Sequence, residues 1–166
     1  MHHKRGKIEF RVIENADEAF LLRVYASTRE WEFYLTAWTQ EEKQDFLKRQ
    51  FRTQDEAYKR TYLGAVHRII QLDGEDIGRL YVDRRDDHMR IIDFTLLPEH
   101  RGQGIGSDIL RSLLNEAHGG KVPVRLHVEQ GSPALNLYLR HGFRRMGVNG
   151  HHFAMEWQPD RRPREF

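Results

Sequence analysis

The chain has no cysteine. That excludes a disulfide framework, a thiolate nucleophile and a cysteine-based zinc site, so any thiol chemistry has to arrive with a cofactor. No apolar run approaches the ~18 residues of a membrane-spanning helix, and Met1-His2-His3-Lys4-Arg5 leads into a charged, strand-like segment rather than the apolar stretch of a signal peptide. The cytoplasm is the expected compartment, and no membrane partner is expected. A strong charge of one sign is also missing: 27 Lys and Arg oppose 25 Asp and Glu, giving a formal net charge of +2. Basic residues gather at the two ends (Lys4, Arg5, Lys7, Arg11 and Arg161, Arg162, Arg164), where solvated termini account for them. No nucleic-acid partner is expected.

What is present suits a folded domain with a very polar surface: 166 residues, 39% hydrophobic and 31% charged. Residues 1–158 are expected to form one domain and residues 159–166 a flexible tail. No internal repeat is visible.

Lys7 to Ile13 alternates as a strand, with Ile8, Phe10 and Val12 on one face. Phe20, Leu21, Val24 and Tyr25 recur at helical spacing over Asp17 to Ser27, and Asp17 can cap that helix. A second helix starts at Thr39, which has capping-box spacing to Glu42, and runs to about Tyr58. Ala65 to Leu72 and Ile77 to Asp83 flank Asp73-Gly74-Glu75-Asp76 as a hairpin. Met89 to Leu97, apolar except for Asp93 and Thr95, reads as a central strand, as does Val122 to Val128. The helix between them, Gly104 to His118, has a continuous apolar side and stops at Gly119-Gly120. Strand, helix, strand implies a parallel crossover. A short helix begins at Ser132-Pro133 and ends near Gly142, and two late strands, about Phe143 to Met146 and His151 to Trp157, follow.

Arg101-Gly102-Gln103-Gly104-Ile105-Gly106 lies between a buried strand and an amphipathic helix. Glycines there let the backbone approach closely and aim consecutive N–H groups at an anion, and the helix start adds partial positive charge. Two phosphate motifs fail: no Gly-x-x-x-x-Gly-Lys-Ser/Thr run exists, and the dinucleotide fingerprint would need glycine where Ser107 stands. The run does fit the pattern Arg/Gln-x-x-Gly-x-Gly/Ala, after Leu96-Leu97-Pro98-Glu99-His100, and Ala134-Leu135-Asn136-Leu137-Tyr138 precedes Gly142-Phe143. In both signatures, their order and the intervening strand, the segment from Ile92 to Phe143 resembles the cofactor-binding half of a GNAT N-acetyltransferase. The resemblance implies an α/β (α+β) fold: a mixed, mostly antiparallel central sheet of about six to seven strands, a parallel strand-helix-strand cofactor-binding core and helices on both faces.

It also implies acetyl-CoA as cofactor and an amine as acceptor. Backbone N–H groups of Arg101, Gly102, Gln103, Gly104, Ile105 and Gly106 would hold the pyrophosphate, with Leu96, Leu97 and Pro98 along the pantetheine arm. The N–H near Leu96 would polarise the thioester carbonyl. Tyr138 falls on the family tyrosine that often protonates the departing thiolate; a phenol of pKa ~10 donates only slightly uphill to a thiolate whose acid has pKa ~8.5. Packing of its ring against the cofactor is the alternative. Where the family often has a cofactor-contacting asparagine, seven positions before the tyrosine, this chain has Gly131. Asn136 is a substitute contact, as is Ser132, although an exposed helix position and a helix cap explain them equally.

An acceptor with a lysine-like pKa of ~10.4 is mostly protonated at pH 7, a cost of about 4.6 kcal/mol in available nucleophile, so a base is useful. Asp93 is the carboxylate in the apolar strand and the candidate base; a structural hydrogen-bonded aspartate is the other reading. Glu129, Tyr81 and Asp83 are further candidates. His88, His127, His151 and His152 have no metal-ligand spacing, and no metal is expected. By resemblance the acceptor, a small-molecule or protein amine, binds about Tyr25 to Phe51, where Trp31, Phe33, Tyr34 and Trp38 either line a site or pack a core. A homodimer through an edge strand or a helix is left open, and a non-catalytic acyl-CoA sensor or protein-interaction module is the competing function.

Overall fold

The computed structural model describes residues 1–160. Arg161, Arg162 and Arg164 and most of the expected tail lie outside the described residues. Eight strands are present: β1 (His2–His3), β2 (Gly6–Val12), β3 (Val66–Leu72), β4 (Glu75–Arg84), β5 (Met89–Leu96), β6 (Val124–Glu129), β7 (Arg144–Asn149) and β8 (His152–Trp157). The four α-helices are α1 (Glu18–Ser27), α2 (Gln40–Thr61), α3 (Ile105–Gly119) and α4 (Ala134–Arg140). Strands are hydrogen-bonded in the order β1-β2-β3-β4-β5-β6-β8-β7, an open and mostly antiparallel sheet in which β5 and β6 run parallel. The strand beyond the expected number is β1, two residues paired with Lys7 and Gly6. The chain divides into two compact units, Met1–Tyr81 with Asp93–His100, and Val82–Ile92 with the residues from Arg101 onwards.

In the first unit β2 and β3 pair with Ile8 opposite Leu72 and Phe10 opposite Ile70. Leu21 and Tyr25 of α1 and Phe51 of α2 bury against Ile69, with Leu47 and Phe20 at the margin. Burying each such side chain contributes roughly 1.5–3 kcal/mol. The capping box at α2 forms as its spacing predicts: the Glu42 N–H donates to Thr39 Oγ1 (3.2 Å) and the Thr39 N–H to Glu42 Oε2 (2.7 Å). Asp17 does not cap α1 as expected. Its carboxylate accepts two bonds from Arg11 (2.8 Å each) and one from the Glu14 N–H (2.8 Å). A bidentate guanidinium satisfies more of a carboxylate's lone pairs than one helix N–H does. Arg11 also donates to Asp76 (2.8 and 3.3 Å), and its guanidinium holds both carboxyls below the usual range.

The hairpin turn is two residues, shorter than the four expected. Asp73 (φ 50°) and Gly74 (φ 82°) are both left-handed, which matches the twist of antiparallel strands. Aspartate tolerates this conformation, and here its Oδ1 also accepts the Lys7 N–H at 2.8 Å. Further along β4, Gly78 lets β5 approach very closely: a Cβ there would sit 2.3 Å from the Thr95 carbonyl oxygen and 3.0 Å from the Leu96 Cα.

In the second unit Met89 and Ile91 pair in parallel with Val124 and Leu126. The apolar side of α3 (Ile105, Ile109, Leu110, Leu113, Leu114, Ala117) is buried throughout. The helix includes Gly119, and Lys121 (φ 54°), not a glycine, takes the left-handed position after it. α4 starts two residues later than Ser132, whose Oγ accepts the Ala134 N–H at 3.2 Å. β7 is exposed along its length and pairs with β8 through a bulge at Arg145/Gly147.

The obstruction at Gly78 is backbone, which no rotamer change relieves, so Gly78→Ala should destabilise the protein by at least about 2 kcal/mol, a drop of roughly 4–8 °C in Tm. Urea and thermal unfolding measure this. An unchanged midpoint would show that β5 can retreat freely from β4.

Candidate functional site

The glycine loop, Arg101 to Gly106, lies in the second unit. Gly102 (φ 68°) and Gly104 (φ 84°) are left-handed on either side of Gln103, and Gly104 is the N-cap residue of α3, its carbonyl accepting the Asp108 N–H at 3.1 Å. Alternation of this kind makes a concave run of backbone N–H groups, here at the positive end of a fifteen-residue helix. Arg101, Gly102 and Gly104 are exposed, whereas Ile105 is anchored in the core at 1% exposure. No carboxylate falls within Arg101–Gly106, and the first one after it, Asp108, is paired with Arg111. The loop therefore suits a pyrophosphate. Tyr138 is buried on α4 with its ring 5.4 Å from that of Phe143, and Asn136 is exposed on the same helix.

In the first unit β5 ends at Leu96, followed by a 3-10 turn over Pro98–His100. Leu97 is buried and its N–H donates to the Ile77 carbonyl at 2.8 Å; Pro98 is exposed. Glu99 pairs with Arg23 of α1 at 2.6 Å.

Asp93 sits in a network that sequence reasoning did not find. Arg79, buried on β4, donates to it twice, from Nε to Oδ1 (3.1 Å) and from Nη2 to Oδ2 (2.7 Å). Thr95 Oγ1 donates to Oδ1 (2.8 Å) and the Tyr58 hydroxyl to Oδ2 (3.3 Å). Four donors occupy the two oxygens, leaving the carboxylate little capacity to accept a further hydrogen bond. Arg79 Nη2 also donates to Gln54 Oε1 at 3.1 Å. An arginine amid the buried run from Ile77 to Asp83 was the available signal, since a buried guanidinium requires a carboxylate.

Around this pair, Tyr81 stacks on His67 (centroids 4.0 Å apart, planes at 4°), and the Arg79 guanidinium lies 5.2 Å from the Tyr81 centroid. The buried Tyr81 hydroxyl has no hydrogen-bond partner. Burial pushes its pKa up to about 12 and raises that of Tyr58 further, so both phenols keep their protons at neutral pH. Burial lowers His67, the nearby Lys59 and Arg79 cations reinforcing this.

The other candidates scatter. Asp83 is buried with Arg85 on it at 2.8 Å, Glu129 lies 3.9 Å from His152, and His88 hydrogen-bonds Asp87 at 2.7 Å. Among the described residues no group of three or more His, Cys, Asp or Glu could hold a metal, and no helix is long and apolar enough to cross a membrane. The aromatic segment divides: Phe33 is buried and its ring, with those of Trp38 and Phe46, forms a cluster at 5.0–6.0 Å, while Trp31 and Tyr34 are exposed.

A family model described as an acetyltransferase (GNAT) domain matches residues 63–145, half of the chain. No curated protein matches. Similar solved structures include PaiA N-acetyltransferase from Thermoplasma acidophilum in complex with coenzyme A (TM-score 0.67, 20% identity, covering 92% of this chain and 99% of that one). An acetyltransferase from Thermus thermophilus gives a TM-score of 0.65 at 17% identity, covering 93% and 98%. A GNAT family acetyltransferase from Elizabethkingia anophelis with acetyl-CoA bound gives 0.53 at 14% identity, covering 62% and 82%. At these identities the structures establish the fold.

The His67 shift has a signed consequence. Its folded pKa lies below the unfolded value of ~6.5, so the unfolded chain takes up the proton first as pH falls. The stability owed to neutral His67 is complete above ~6.5 and is lost as pH falls through the folded value. His67→Phe keeps the ring stack and should flatten the decline of urea midpoint below pH ~6.5, leaving the part due to His127, also lowered by burial and by Arg90 and His152. An identical pH profile in the variant would exclude His67 as the source.

Proposed function

Because the chain belongs to the GNAT acetyltransferase family, we propose that it transfers an acetyl group from acetyl-CoA to a primary amine by direct attack in a ternary complex. The observation that carries this reading is the loop at the head of α3, two left-handed glycines presenting backbone N–H groups at a helix N-terminus, in a chain whose family uses that loop for coenzyme A. Acetyl-CoA, when bound, would supply an acetyl thioester: the C–N bond to a neutral amine would form as the C–S bond breaks, the thiolate taking a proton from Tyr138 and the amine's surplus proton passing to solvent water.

The residues divide the remaining work. Backbone N–H groups of Arg101–Gly106 hold the pyrophosphate, and the loop conformation matters more than its side chains. The N–H near Leu96 would stabilise the developing oxyanion. Leu97 and Pro98 position the pantetheine arm. Tyr138 donates a proton to the departing sulfur, and Asn136, exposed on α4, takes the cofactor contact left open by Gly131. Asp93 enters as a positioning residue, because its lone pairs serve Arg79, Thr95 and Tyr58. That saturation also favours a second reading, a non-catalytic acyl-CoA sensor.

Acetyl-CoA at ~100 times its dissociation constant should stabilise the protein by about 2.7 kcal/mol, with ATP and NAD ineffective. Gly102→Ala, where a Cβ meets nothing within 4 Å, should cost only the ~1–2 kcal/mol of left-handed strain while abolishing the acetyl-CoA shift. No shift in the wild type at saturating ligand would overturn the cofactor assignment. With an amine that supports thiol release, Tyr138→Phe should lower kcat and remove the alkaline limb of its pH profile. Asp93→Asn should lose about 3–5 kcal/mol of stability through the stranded Arg79 yet turn over when folded. Thiol release from no amine in a broad panel, despite acetyl-CoA binding, would favour the sensor.

A further inference from the structure

One open groove in the first unit overlaps the segment that the family resemblance gives to the acceptor, Tyr25 to Phe51, and extends beyond it to Ala57. It has a volume of 460 Å³ and is lined by Tyr25 of α1 and by Phe46, Arg49, Gln50, Thr53, Gln54 and Ala57 of α2. That volume lies in the range of small-molecule sites. Its apolar surface comes from Phe46, Ala57 and the Tyr25 ring, and Phe46 is held from behind by Trp38 (5.0 Å) and Phe33 (6.0 Å).

The polar lining is biased. Gln50 Oε1 accepts from the Tyr25 hydroxyl (3.3 Å) and Gln54 Oε1 accepts from Arg79 Nη2 (3.1 Å). With both carboxamide oxygens engaged, each side chain is left with its NH₂ group to offer. Arg49 is exposed and its guanidinium has no hydrogen-bond or ion-pair partner among the described residues; only its carbonyl is used, by Thr53 Oγ1 at 3.0 Å. No carboxylate lines the cavity. The lining thus holds one unpaired cation, two NH₂ donors, two neutral hydroxyls and an apolar wall. Such a set complements a planar anion on an apolar body, and it offers a polycation no charge to bind.

We propose that this groove binds the acceptor, and that the acceptor is an amine carrying a carboxylate and an apolar side chain, an amino acid or a peptide-like compound, with Arg49 as the group that reads the carboxylate. The proposal rests on the acetyltransferase reading and makes it specific: a polyamine is excluded as substrate. Gln54 links the groove to Arg79 and Asp93, which gives that buried pair a positioning role toward the acceptor.

The test uses the full chain saturated with coenzyme A, so that binding is read without turnover. L-Phenylalanine, 3-phenylpropionate, phenethylamine and spermidine are titrated calorimetrically into wild type and Arg49→Gln. The two carboxylates should bind wild type at least about tenfold more tightly than either amine lacking a carboxylate, and Arg49→Gln should erase that margin. Phenethylamine or spermidine binding as well as phenylalanine would overturn the proposal, as would carboxylate affinity unchanged in Arg49→Gln, or no carboxylate binding at millimolar concentration. Arg49 is exposed, so an unaltered Tm is expected of the variant. Stabilisation by coenzyme A is recorded first on each sample. Its absence defeats the family's cofactor reading, whereas its presence without discrimination among the four probes defeats only the acceptor assignment.

Discussion

A guanidinium cannot shed its charge at any pH a folded protein meets, and Arg79 is 2% exposed. Everything around it in the first unit answers to that constraint. Asp93 neutralises it, Thr95 and Tyr58 satisfy the rest of the carboxylate, and Gln54 takes the remaining guanidinium N–H directed at α2. The arrangement costs desolvation of two ions and returns it only while the geometry stays close to ideal. Gly78 belongs to the same constraint: by admitting the Thr95 carbonyl against β4, it permits the close approach of β5 in the stretch that carries Asp93 and Thr95. A helix, two strands and their register are thereby tied to one ion pair.

Much of this was legible in the sequence, for reasons that differ by element. The capping box at Thr39, the apolar side of α3 and the alternation in β6 are local signals, each decided by residues within a turn or two. The glycine loop was legible because glycines clustered between a buried strand and an amphipathic helix let the backbone approach an anion closely, a local signal. Asp93 was visible as an anomaly, but its partner lies fourteen positions away, and only strand register brings them together. Asp17 misled for a related reason: its helix-capping chemistry was sound, but Arg11 offered a stronger bond across the first unit. The segment of the groove beside α2 was given by resemblance, but its lining was not legible, because it arises from how Tyr25 of one helix meets a face of another.

The two units hold different parts of the proposed chemistry and build them differently. On the proposed reading the second unit would meet the cofactor through backbone N–H groups and a helix terminus, with Asn136 and Tyr138 as side-chain contacts and Ile105 anchoring the loop in the core. In the first, the proposed acceptor groove is lined by side chains of α2, among them Gln50 and Gln54, which are oriented by Tyr25 and Arg79. On that proposal the pyrophosphate contacts follow from a local motif, whereas acceptor choice would depend on packing. Related scaffolds can keep one and vary the other.

Tyr58 and Tyr81, whose hydroxyls are enclosed beside Arg79, also set an alkaline limit on the fold. The unfolded chain releases phenol protons near pH ~10, whereas the folded chain retains these two to higher pH, so above ~10 the unfolded state binds fewer protons and gains on the native one. Two phenols placed beside Arg79 thus tie the stability of the first unit to hydroxide concentration.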